Sequence, residues 1–252
     1  MRAMICMVRS EWRKLWSIPT LWWLLLATVL VLPVAVVGGF LVADLNNVAL
    51  NSGEGLEDGL HGVGFGSVLA EIAGIIAMAG EFRFGQADQT FLSEPRRSRV
   101  VTAKLAVVAV VGAVFGLVGA GITLGTSWVW LTIKGVGLPM GQSILWETLS
   151  GAVASAVLFA WLGLGVGAAL RNQVVALVTV LGVQTVLEQT IFSASTTVGR
   201  WLPAQASEAL RQVPSPGLLS VGAGAAVLAA WVAGVVVIGY VRTVRGDITV
   251  KA

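Results

Sequence analysis

The chain has 252 residues, of which 56% are hydrophobic and only 12% charged, with a mean hydropathy of +0.87. A soluble domain carries about 25% charged residues, so this composition excludes an ordinary globular enzyme and places the chain in the membrane class. The formal net charge is +3, and the single cysteine, Cys6, excludes an internal disulfide.

The N-terminal stretch carries Arg2, Arg9, Arg13 and Lys14 ahead of an apolar run from Leu21 to Ala43. That run is too long for a signal-peptide core and has no small-x-small cleavage site near its end, so it reads as a retained span. Residues 4–18 put Ile5, Val8, Trp12, Leu15 and Trp16 on one helical face, opposite Arg9, Glu11, Arg13 and Lys14. Such a helix lies in a membrane interface and ends at Pro19; the alternative is an inward extension of the first span.

Six spans follow, at 20–42, 60–80, 105–131, 148–170, 173–194 and 217–241. The runs are continuous rather than alternating, which predicts helices and excludes a barrel. The stretch at 44–59 holds four acids and no base and reads as an exterior loop.

Between spans two and three lies a charged island, residues 81–104. It gathers Arg83, Arg96, Arg97, Arg99 and Lys104 with Glu81, Asp88 and Glu94. Lys and Arg number four at the N-terminus, five in the island, one at Arg171 and three in the C-terminal tail. Thirteen of the sixteen thus fall on one side, leaving Lys134, Arg200 and Arg211 for the other. The positive-inside rule puts the first set, with both termini, in the cytoplasm. That placement uses the basic residues for membrane orientation, and nucleic acid is not an expected partner. Trp12, Trp16, Trp22 and Trp23 fall near the inner boundary, and Trp128, Trp130, Trp146 and Trp201 near the outer one, as interfacial belts do. Residues 195–216 read as an outer loop, or as a short amphipathic or re-entrant helix near Leu202–Val213.

Most catalytic motifs are missing. There is no phosphate loop G-x-x-x-x-G-K-[ST], no H-E-x-x-H, one histidine (His61) and no Cys/His cluster. Gly163-x-Gly165-x-x-Ala168 imitates a dinucleotide fingerprint but lies inside a span, where small residues serve helix crossings. Gly112-x-x-x-Gly116 and Gly121-x-x-x-Gly125 read as close-approach motifs or as ordinary glycine enrichment. Glu71 and Glu188 are the acids inside spans. A charge at the depth of Glu71, roughly 15 Å from the span's inner end, costs on the order of 3 kcal/mol. Glu71, Glu188 and Gln184 therefore line a substrate path or relay protons, or else make helix–helix hydrogen bonds.

The island has a recognisable order: Glu81-Phe82-Arg83-x-Gly85, then Thr90-Phe91-Leu92, then Pro95-Arg96-Arg97-x-Arg99-Val100 and Ala103-Lys104. This resembles the first cytoplasmic loop of bacterial ABC-transporter permeases of the type-2 exporter class, actinobacterial members in particular. Gln86 departs from the threonine usual in that loop. Ser10-Glu11-x-x-Lys14, Leu187-Glu188, Trp201-Leu202-Pro203 and Arg245-x-Asp247 extend the similarity over most of the chain. The resemblance implies an all-α permease of one domain in the bacterial cytoplasmic membrane, and spans lined by Leu, Val, Ala and Gly with few polar groups favour an amphipathic drug, peptide or lipid as cargo over an ion or sugar. It further implies an interfacial elbow over 1–18 and a coupling helix in 81–104 that docks on a separate ATPase. Two permease subunits, identical or different, would share the path, surrounded by membrane lipid. ATP would sit on the partner, so the chain itself is expected to hold no cofactor or metal and to be no enzyme. Glu81, Arg83, Asp88, Glu94, Arg96 and Arg97 are the implied docking residues. The alternatives are a proton-coupled secondary transporter and a non-transporting anchor or immunity protein.

Overall fold

The computed structural model describes residues 2–50, 52–83, 85, 97–212 and 217–245. Every regular element among them is helical. Six helical segments are long and apolar enough to cross a membrane: Pro19–Leu45, Gly53–Arg83, Ser98–Ile133, Ser143–Leu170, Gln173–Ala194 and Val221–Val244. This is the architecture of a multi-pass membrane protein.

Helix α1 (Arg2–Trp16) stops short of Pro19, which opens α2 (Pro19–Leu45) at the position where a missing N–H costs nothing. The corner is held by aromatic packing. The rings of Trp12 and Trp16 lie 5.3 Å apart and those of Trp16 and Trp22 4.8 Å apart, and Trp22 Nε1 donates to the Trp16 carbonyl at 3.1 Å. The rest of α1 lies along the third long helix.

The stretch 44–59 is not simply a loop. Residues Gly53–Leu60 form α3, capped by Ser52, whose Oγ accepts from Gly55 N at 3.1 Å. Leu56 and Leu60, four residues apart, turn inward against Val36, Phe40, Leu131 and Leu145. That packing overrides the turn-like composition. A short 3-10 turn, His61–Gly64, joins α3 to α4 (Phe65–Arg83).

Helix α5 (Arg97–Ile133) begins eight residues before the span read from the sequence. Its charged first turns remain helical because Lys104 is neutralised by ion pairs, described below. Helix α6 (Ser143–Leu170) ends on Arg171, a left-handed residue at φ 53°. Asn172 then caps α7 (Gln173–Gly182), its Oδ1 accepting from Val174 N and Val175 N at 3.0 and 3.1 Å. A π-helical turn, Val183–Glu188, leads into α8 (Gln189–Ala194). Two short helices, α9 (Thr196–Gly199) and α10 (Pro203–Leu210), precede α11 (Val221–Arg245).

The centre of the bundle is α4 against α6. In the second and fourth spanning segments 72% and 56% of the apolar stretch is buried, against 22%, 22% and 17% in the first, fifth and sixth. Glycine explains the closeness. A Cβ on Gly74 would lie 2.1 Å from the Ala160 carbonyl oxygen, and one on Gly163 would lie 2.1 Å from that of Glu71. Gly112 and Gly116 seat α5 on α6 at Ala156 and Val153, whereas Gly121 and Gly125 meet nothing within 4 Å. Of the two G-x-x-x-G motifs, only the first serves a crossing among the described residues. Gly165 meets Val236 of α11, so the fingerprint-like triplet belongs to helix packing.

Helix α10 is folded back into the bundle. A Cβ on Gly151 would lie 2.3 Å from the Leu210 carbonyl oxygen, eight residues into α6 and so roughly 12 Å along it. Its Ala206 packs on Leu228 and Val232 of α11, and Trp231 Nε1 donates to the Trp201 carbonyl at 2.8 Å.

Candidate functional site

Two buried polar groups lie at different levels of the bundle. The first is an ion cluster where α1, the end of α4 and the start of α5 meet. Lys104 Nζ lies 2.8 Å from Glu81 Oε1 and 2.5 Å from Glu11 Oε2. Lys14 Nζ lies 2.7 Å from Glu11 Oε1 and 3.4 Å from Glu81 Oε1. Glu11, Glu81 and Lys104 are buried, while Lys14 is half-exposed. Two acids and two bases thus cancel in a site that could not hold one of them alone.

The electrostatics of the cluster follow from this geometry. Burial by itself would raise the Glu11 carboxyl, but Lys104 and Lys14 together hold it below its ordinary value of 4.5. Burial would likewise lower Lys14, and Glu11 and Glu81 hold it above 10.5. A cavity of about 440 Å³ opens beside the cluster, and Arg83 and Gln173 reach across it, Arg83 Nη1 donating to Gln173 Oε1 at 3.4 Å.

Of the implied docking residues, Glu81 is buried, its carboxylate taken up by Lys14 and Lys104. Arg83 is exposed. Asp88, Glu94 and Arg96 lie outside the described residues, as does the side chain of Arg97. Glu11, Lys14 and Lys104 are the members that the sequence did not assign to a site. All three stand in quoted motifs, but Glu11 and Lys104 are 93 positions apart and no local periodicity pairs them.

The second group lies where α4 meets the π turn. Gln184 Nε2 donates to both carboxylate oxygens of Glu71, at 3.1 and 2.9 Å, and both residues are buried. Glu188, also buried, turns instead toward α10, where its Oε2 accepts from Ala204 N at 2.8 Å. That N–H belongs to the first turn of α10, where the helix itself supplies no acceptor. Of the three residues read as a path lining, the structure joins Glu71 with Gln184 and gives Glu188 a capping bond. Both are bonds between elements, which satisfy polar groups buried in the bundle.

Among the described residues no group of histidine, cysteine and acidic side chains could hold a metal ion. No family model and no curated protein matches the chain.

Proposed function

We propose that the chain is the membrane-spanning permease subunit of an ATP-driven exporter of the type-2 class, seated in a bacterial cytoplasmic membrane with both termini inside. A separate nucleotide-binding ATPase would supply the energy and a second permease subunit would complete the path for an amphipathic substrate. The observation that carries this reading is the ion cluster. Glu81 and Lys104, the two stems of the charged island, are bonded to each other, and Lys104 is bonded to Glu11 of α1.

In this reading α1 is the elbow and the island holds the coupling helix. Arg83, Asp88, Glu94, Arg96 and Arg97 provide its docking contacts, while Glu81 anchors the stem. Movement of the docked ATPase displaces the island, and the shared cluster passes that displacement to α1, α4 and α5 together. The positive-inside distribution and the lack of a phosphate loop in the sequence support the same assignment.

A tagged copy purified from its native membrane should bring down a subunit bearing G-x-x-x-x-G-K-[ST], and substrate efflux should stop on ATP depletion. Recovery of the chain without such a subunit, with efflux insensitive to ATP, would overturn the proposal. A proton-coupled carrier is the second reading, favoured by the deep acid Glu71, and it requires efflux to follow the proton gradient instead.

A further inference from the structure

Arg211 follows directly on α10 and is only 7% exposed. Its Nε donates to the Ser207 carbonyl at 3.3 Å, and among the described residues no carboxylate forms an ion pair with it. Burial pushes its pKa below the ordinary arginine value, and Glu208 offsets this only in part. A guanidinium buried on such terms is costly, so its position needs a reason.

The chain makes room for it. At Gly64, where the 3-10 turn enters α4, a Cβ would fall 1.7 Å from Arg211 Nη1. A side chain at position 64 would require the guanidinium to shift from this place.

The guanidinium faces a cavity of about 210 Å³ between α4, α6, the π turn and α10. Ser67 lines the same cavity, is 2% exposed, and its Oγ has no hydrogen-bond partner among the described residues. Phe65, Phe159 and Leu181 give it apolar walls. A buried cation and an uncommitted hydroxyl therefore converge on one small space. Sites for drug-sized molecules run about 300–1,000 Å³, so this volume suits a headgroup rather than a whole ligand. The planar fork of arginine matches the paired oxygens of phosphate or carboxylate. Phe65, which lines the cavity and is itself exposed, offers an apolar surface against which a hydrocarbon body can lie.

We propose that this cavity binds an oxyanion headgroup carried on an apolar body, with Arg211 as its charge partner and Ser67 as a second donor. Glu208, which also lines the cavity, sets the limit on how much negative charge the site accepts. The assignment goes beyond the permease reading and holds for a membrane protein of any activity.

The test uses the purified full chain in neutral detergent, titrated with dodecyl phosphate and, separately, with inorganic phosphate. Thermal shift and calorimetry provide the readouts. Dodecyl phosphate should bind saturably at one per chain, at least tenfold tighter than inorganic phosphate. R211Q and G64A should each weaken it at least tenfold, and E208Q should tighten it. Without ligand, R211Q should melt no lower than the parent, because it removes a buried unpaired charge. Undiminished binding in R211Q, or an R211Q protein that melts far below the parent without ligand, would overturn the site. Equal affinity for free phosphate would overturn the amphiphile.

Discussion

Lys104 Nζ sits 2.8 Å from Glu81 Oε1, so residues at opposite ends of the charged island meet at one buried ion pair. Replacing Lys104 by methionine leaves Glu11 and Glu81 buried with Lys14 as their one remaining partner in the cluster. A broken buried pair costs about 3–5 kcal/mol, so Lys104→Met should lower the melting temperature of the detergent-purified protein sharply. Adding Glu81→Gln restores neutrality, and the double variant should be more stable than Lys104→Met alone. A double variant that melts lower than the single would show that the pair is not coupled.

The cluster also sets a pH window. Glu11 is depressed below 4.5 in the folded protein, so its contribution is present above that value and is lost as pH falls through the lower folded one. Lys14 is raised above 10.5, so its contribution is present below that value and is lost as pH rises through the higher folded one. The contribution of Glu11 and Lys14 to the melting temperature should therefore be fully present between about 4.5 and 10.5 and be lost on both sides. In Glu11→Gln the acid limb should flatten. An acid limb that keeps its shape in that variant would assign it to other carboxylates.

The bond from Gln184 to Glu71 makes a different demand. In Glu71→Leu the Gln184 amide is left buried without its acceptor, a loss of about 1–3 kcal/mol. Glu71→Gln keeps one hydrogen bond and should lose less. The double variant Glu71→Leu/Gln184→Leu removes both partners and should recover most of the stability. Chemical unfolding in mild detergent reads all three, and a double variant as weak as Glu71→Leu would contradict the pairing.

Glycine positions separate into two kinds. Gly163→Ala places a methyl 2.1 Å from the Glu71 carbonyl and must push α4 off α6, with an expected loss of about 1–3 kcal/mol. Gly121→Ala meets nothing within 4 Å and should stay within about 0.5 kcal/mol of the parent. Equal melting temperatures for the two variants would remove the contact from the account.

The six spanning segments were legible because a continuous apolar run needs no knowledge of its neighbours to be read. Helix α3 was not, since Glu54, Glu57, Asp58 and three glycines outweigh two leucines in an eight-residue window. Its stability comes from the pocket that Leu56 and Leu60 fill, which exists only once α2, α5 and α6 are packed. The early start of α5 was hidden for the same reason, because the neutralising acids of Lys104 come from other helices. Glu71 and Gln184 both stand out as polar groups in spans, but they are 113 positions apart in the chain. Arg211 was counted only as a charge at the far end of the bundle. Its guanidinium lies against Gly64, and no pattern local to either residue announces that.

Helices α4 and α6 touch through carbonyls set against missing side chains, with no cushion of rotamers between them. A seam of that kind cannot be repacked in small steps; it is either closed or parted. The two helices should therefore act as a keel and move as one piece. Any change of shape in this protein has to be absorbed at the looser joints around it, where the first, fifth and sixth spanning segments keep most of their surface free.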